Sequence, residues 1–150
     1  MMKNRTLRIN NLDFHGSTCD GPGIRNVVFF QGCTRRCPGC HNMGTWDPEG
    51  GREIEIADLV SIIDKETPMR RITISGGEPL LQPEGLLELT CCLRQRGYEI
   101  AVYTGNSLEE VPKELLEVID YIKVGEYQRD YQTSVKQYVG STNQKFIKLR

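Results

Sequence analysis

Four short apolar runs in this chain each hand over to a glycine-containing loop. They are 26–31 (NVVFFQ) before Gly32, 71–75 (RITIS) before Gly76 and Gly77, 99–104 (EIAVYT) before Gly105, and 121–124 (YIKV) before Gly125. Their β-branched and aromatic content marks them as buried strands. The segments between them have helical spacing. Ile56, Leu59, Val60 and Ile63 recur on one face of 55–66, and 84–96 reads as a helix stopped by Gly97. A further helix is predicted over 110–119, with Ser107 and Glu110 spaced for a capping box, and a last strand over 145–149. Strand, loop, helix, strand in repetition predicts βαβ units and a parallel sheet, so the fold class is α/β. A complete eight-fold β/α barrel takes about 200 residues or more. The 150 residues here predict a partial, open β/α barrel in a single domain over 1–150. In parallel α/β folds ligands bind at the C-terminal ends of the strands, where these glycine loops fall.

The loop after the first of these strands carries Cys33, Cys37 and Cys40, a C-x3-C-x2-C spacing. Three thiolates in so short a stretch can hold a metal centre, but a structural zinc site or a closed iron–sulfur cluster takes four ligands. A cluster held by three cysteines leaves one iron open to a ligand, which points to chemistry rather than scaffolding. Gly32, Pro38 and Gly39 suit a backbone wrapped around a bulky inorganic core, and Arg35 and Arg36 put positive charge beside it. On the residues alone two readings stay open: an iron–sulfur cluster, or zinc on Cys33, Cys37 and Cys40 with His41 as fourth ligand.

The totals narrow the function classes. Lys and Arg number 19 and Asp and Glu 20, a net charge of -1, which predicts neither a nucleic-acid-binding nor a membrane surface. No apolar run is long enough to span a bilayer. Residues 1–10 are polar and basic without the apolar region of a secretory signal, so the expectation is a cytoplasmic protein. In that compartment clustered cysteines point to metal or redox chemistry rather than disulfides. The other three cysteines, Cys19, Cys91 and Cys92, are expected to be free thiols.

The cysteine loop and its surroundings resemble the radical S-adenosylmethionine (SAM) enzymes. Asp20-Gly21-Pro22-Gly23-Ile24-Arg25 followed by Val27-Val28-Phe29-Phe30-Gln31-Gly32-Cys33 looks like the first strand of glycyl-radical-enzyme activases, and Ser75-Gly76-Gly77-Glu78-Pro79-Leu80 looks like the family's GGE motif. Cys37-Pro38-Gly39-Cys40-His41-Asn42, Thr45-Trp46, Tyr103-Thr104-Gly105 and Ser141-Thr142-Asn143-Gln144 are most similar to one subfamily, the activating proteins of anaerobic (class III) ribonucleoside-triphosphate reductase. The resemblance covers nearly the whole chain.

The resemblance implies a [4Fe-4S] cluster on Cys33, Cys37 and Cys40, with SAM chelated by the fourth iron. It implies SAM contacts at Gly39, Cys40, His41, Gly76, Gly77 and Glu78. The contact at His41 would be through the backbone, and that at Glu78 through the amino group of the methionine. Gly76 and Gly77 are expected to let the backbone approach the methionine closely. No side chain is expected to act as a catalytic acid or base, because cluster and SAM carry the chemistry. The implied partners are the anaerobic reductase, as protein substrate, and an electron donor such as flavodoxin or ferredoxin. Two other functions stand beside this one: a radical SAM activase of another glycyl radical enzyme, and a non-catalytic zinc-binding interaction module.

Overall fold

The computed structural model describes residues 5–33, 43–66 and 69–150. Seven strands form one sheet in the order β3-β1-β2-β4-β5-β6-β7. They are β1 Thr6–Ser17, β2 Arg25–Phe30, β3 Arg52–Glu55, β4 Arg71–Gly76, β5 Glu99–Tyr103, β6 Tyr121–Val124 and β7 Lys145–Lys148. The four inner strands β2, β4, β5 and β6 are parallel. They are the four glycine-terminated runs of the sequence. β1 and β3 add antiparallel on one side and β7 on the other. The edge strands β3 and β7 do not pair with each other, so the sheet is open.

Strand alternation gives this sheet two different faces. Val28, Phe30, Ile72, Ile74, Ile100, Val102 and Ile122 point to one side and are fully buried. They pack under helices α1 Ile56–Glu66 and α2 Pro83–Gln95 and the short α3 Lys113–Leu116, through Leu59, Ile63, Leu86, Leu89, Leu93 and Leu115. Each such aliphatic side chain is worth about 1.5–3 kcal/mol on burial. The opposite face carries Arg25, Val27, Thr73, Ser75, Ala101, Tyr103 and Lys123, aligned across β2, β4, β5 and β6 by the strand register. Phe29 and Tyr121 share this second face, which mixes polar with aromatic and small apolar side chains, and among the described residues the three α-helices pack on the other side.

Arg25 sits at the N-terminal end of β2 with its side chain fully buried. Its five N–H groups each meet an acceptor: Thr73 Oγ1 at 2.9 Å, Pro22 O at 2.9 Å, Glu99 Oε1 at 2.9 Å, Ile72 O at 3.0 Å and Glu99 O at 2.9 Å. Arg25 therefore bolts three strands together at the end of the sheet away from the cysteine loop.

Three elements differ from the sequence reading. β1, the longest strand, lies where only a polar, basic segment was visible. Only Leu7 and Ile9 of its residues are buried, and pairing with β2 and β3 holds the rest. β3 is likewise mostly exposed. The helix expected over 110–119 is instead a 3-10 turn, Leu108–Glu110, followed by the four-residue α3. Pro112 stands between them, lacks an N–H to donate and so starts a new helix rather than continuing one. Ser107 and Glu110 do interact, the Ser107 N–H donating to Glu110 Oε1 at 3.0 Å, but around the 3-10 turn.

Candidate metal and cofactor site

The C-terminal ends of the parallel strands meet on one rim. After β2 the chain runs through Gln31, Gly32 and Cys33, and each is pinned. Gln31 donates its N–H to Arg8 O at 3.0 Å and its side-chain amide to Asp47 O at 2.8 Å. Gly32 N donates to Thr45 O, and Cys33 N donates to Trp46 O at 3.0 Å. Cys33 is a buried free thiol. Cys37, Gly39, Cys40 and His41 lie outside the described residues, so of the three expected cluster ligands the structure places Cys33.

The Gly76-Gly77-Glu78 loop at the end of β4 packs directly on this segment. Gly77 N donates to Phe30 O at 3.1 Å and Glu78 N to Gly32 O at 2.8 Å. A Cβ on Gly76 would lie 2.4 Å from both Phe30 N and Phe30 O, and one on Gly77 would lie 2.3 Å from Gly32 O. Gly76 also has φ +114°, a conformation that disfavours any side chain. The structure thus supplies its own reason for both glycines: they let the β4 loop and the cysteine-loop backbone touch.

Glu78 is buried and its carboxylate works as a staple. Oε1 accepts the Gly105 N–H at 2.7 Å, while Oε2 accepts the Thr104 hydroxyl at 2.7 Å and the Leu80 N–H at 3.0 Å. Further hydrogen bonds continue along the rim. Gly125 N donates to Asn106 O at 3.0 Å, tying the β5 loop to the β6 loop. Gln144 then donates to Gly125 O at 2.9 Å and accepts the Gly140 N–H at 2.8 Å, closing the loop before β7. The Tyr103-Thr104-Gly105 and Ser141–Gln144 motifs therefore hold the rim in register.

These loops enclose a cavity of about 560 Å³ whose lining includes Cys33, Trp46, Gly77, Glu78, Tyr103 and Lys123. That volume suits a cofactor-sized ligand. Tyr103 is a feature that the sequence reading left without a chemical role. It is buried, and its hydroxyl has no hydrogen-bond partner among the described residues. Burial, and then the negative charge of nearby Asp20, push its pKa well above the ordinary phenol value, so it stays a protonated donor. Such an orphaned donor fits a cavity that receives a ligand.

Cys19, Cys91 and Cys92 are free thiols, and His15 has a local partner. Cys19 is exposed at the cavity edge, while Cys91 and Cys92 are both half-buried on α2. Burial pushes the Cys92 thiol pKa up, which makes it less reactive. His15 is exposed, with Nδ1 3.1 Å from Asp13 Oδ1. Among the described residues no group of three or more His, Cys, Asp and Glu side chains is placed to hold a metal ion. Nor is any described helix long and apolar enough to cross a membrane.

The family of 4Fe-4S single cluster domains matches residues 19–147. The chain belongs to this family. It is 41% identical over 102 residues to the pyruvate formate-lyase-activating enzyme of Clostridium pasteurianum, a match covering 65% of this chain and 42% of that one. It is 34% identical over 143 residues to the anaerobic ribonucleoside-triphosphate reductase-activating protein of Escherichia coli K12, covering 87% of this chain and 92% of that one. The chain thus spans about half the length of its pyruvate formate-lyase-activating relatives and nearly all of the reductase-activating ones. Among solved structures it is similar to QueE from Escherichia coli, with a TM-score of 0.57 and 20% identity, covering 78% of this chain and 69% of that one. That likeness, with the open seven-stranded sheet, bears out the partial, open β/α barrel as the fold. The expected [4Fe-4S] cluster and SAM agree with the family and these relatives, and the sulfur donors Cys33, Cys37 and Cys40 suit such a cluster.

Proposed function

We propose that this chain is a radical SAM activase, one domain over 1–150, that installs a glycyl radical on anaerobic ribonucleoside-triphosphate reductase. Cys33, Cys37 and Cys40 hold the cluster in this reading. SAM is held by Gly39, Cys40 and His41 on one side and by the Gly76–Glu78 loop on the other. Supplied with an electron by a donor such as flavodoxin or ferredoxin, the bound cluster and SAM would provide the radical chemistry that removes a hydrogen atom from a glycine of the partner. The chain's own residues bind, orient and exclude competing reactions. No general base is needed, and the protein works in the cytoplasm.

The observation that carries this reading is the direct packing of Cys33 and Gly32 on Gly77 and Glu78 at one wall of the rim cavity. This packing supports the reading, because it sets Cys33 beside the Gly76–Glu78 loop. Among the described residues Glu78 accepts hydrogen bonds from Gly105, Thr104 and Leu80, so in this reading the loop's carbonyl groups share the contact to the methionine amino group. The choice of reductase as target is supported by the match over nearly the full length of the reductase-activating relatives. The higher identity to the Clostridium pasteurianum protein favours a second target, pyruvate formate-lyase. The two separate in one experiment. Reduced, reconstituted protein with SAM is incubated with each purified candidate, and the glycyl radical is read by EPR. A radical on the reductase alone supports the first reading; a radical on the lyase alone replaces it with the second.

A further inference from the structure

We propose that residues 131–142 form a clamp at the mouth of the rim cavity that closes on the glycine-bearing segment of the protein substrate. The inference rests on the proposed radical chemistry and adds to it the part of the chain that meets the partner. This stretch is a hairpin. Thr142 N donates to Tyr131 O at 2.8 Å, Thr133 N donates to Gly140 O at 3.1 Å, and Gln132 and Ser141 form a bridge between the two arms. Its tip, 134–139, joins the lining of the cavity. The other walls are tied to one another: Cys33 N reaches Trp46 O, Glu78 N reaches Gly32 O, and Gly105 N reaches the Glu78 carboxylate. Among the described residues the hydrogen bonds of the tip return to the hairpin and its base. Val135 N and Lys136 N donate to Thr133 Oγ1 at 3.2 and 3.3 Å, and the Lys136 ammonium donates to Thr142 O at 3.1 Å and Gln144 O at 2.7 Å. A wall tied in this way can shift while the sheet and its rim stay bonded.

Tyr138 is the latch. Its φ of +66° makes it the one described residue other than glycine in the left-handed region, and its ring lies 4.8 Å from that of Phe146 on β7. Backbone strain of this kind collects at clamps and switches, where packing holds it. The hairpin also carries two exposed large apolar side chains, Tyr131 and Val135, and Val135 is 90% exposed although it borders the cavity. The cavity, at about 560 Å³, suits a cofactor. A polypeptide segment that reaches the same chemistry must pass the mouth, and Val135 is the apolar side chain it covers there.

The test uses the anaerobically reconstituted protein with the purified reductase or pyruvate formate-lyase, whichever accepts the radical. Val135→Asp is expected to bind SAM, and to cleave it in the absence of partner, as wild type does. Its KM for the protein substrate should rise about ten-fold while kcat holds. Tyr138→Gly accepts the left-handed φ but removes the latch. It should raise the same KM and speed amide hydrogen exchange over 134–139 in the free protein. In wild type that exchange should slow when the partner is added. A wild-type KM in Val135→Asp overturns the clamp, and so does exchange over 134–139 that is indifferent to the partner. Loss of SAM binding in Val135→Asp also overturns it, by assigning the tip to the cofactor. Failure of the wild type to cleave SAM would overturn the proposed function itself, a distinct result.

Discussion

Replacing Gly77 by alanine separates two reasons for a glycine at this position. The added Cβ would lie 2.3 Å from Gly32 O, and real Cβ contacts essentially never fall under 3.0 Å. The two backbones must therefore part by at least about 0.7 Å. The obstruction is a carbonyl oxygen, so no side-chain rotation relieves it. Gly32 precedes Cys33, and its carbonyl accepts the Glu78 N–H at 2.8 Å, so the shift reaches Cys33, the proposed ligand, and strains a rim hydrogen bond. Metal and cofactor sites tolerate displacements of about 0.5 Å. Gly77→Ala is expected to fold, with a loss of about 1–3 kcal/mol from strain and the strained hydrogen bond. It is expected to take up less than half the wild-type iron and sulfide on reconstitution. The assay is metal and sulfide analysis together with thermal unfolding of the apo protein. Full cluster loading combined with lost SAM binding would refute this reasoning and assign Gly77 to the approach of the cofactor alone.

Three further outcomes follow from the same geometry. Arg25→Met strips the donor from five acceptors, four of them neutral oxygens, and should cost about 3–5 kcal/mol in denaturant unfolding; because Arg25 lies at the far end of β2, about 20 Å from Cys33, the folded fraction should load its cluster normally. Glu78→Gln sets an amide N–H₂ against the N–H of Gly105 or of Leu80 in either orientation, and should lower stability by about 2 kcal/mol and weaken SAM binding, whereas wild-type stability in this variant would show the staple to be idle. The Tyr98 hydroxyl hydrogen bond, helped by Arg70 and Arg96 and opposed by burial, holds the Asp64 carboxyl below its usual range. A lowered folded pKa gives stability that is present above the unfolded value and lost as pH falls through the folded one. Asp64→Asn should therefore remove about 1 kcal/mol or less at pH 7, since both arginines are half-exposed, and should flatten the decline between about pH 5 and pH 3 in denaturant midpoints.

Much of the parallel core was legible in the sequence. Its four strands are apolar on the helix-covered face and each ends on a glycine, so burial and turn chemistry give the same answer locally. The flanking strands were not legible because their identity is set by pairing rather than burial: β1 offers only Leu7 and Ile9 to the core, and β3 almost nothing. The short α3 was misjudged because Pro112 was passed over as a break. At the candidate site, cysteine spacing and the glycine pair pointed to one rim, where Cys33 and Gly76–Gly77 do meet, but not to the contact that demands the glycines, which lies between segments some 45 residues apart in the chain. The structural role of Arg25 is not legible in the sequence, because its five acceptors come from three separate segments of the chain. The motif around Tyr103 was visible in the sequence, but its unpartnered hydroxyl was not, because that is a property of packing.

The most direct measurement is an EPR spectrum of the anaerobically reconstituted, reduced protein with and without SAM. The account predicts a reduced [4Fe-4S] signal that changes when SAM is added, as an open iron at the Cys33 rim requires. A signal indifferent to SAM, or a colourless protein holding zinc instead, would contradict it.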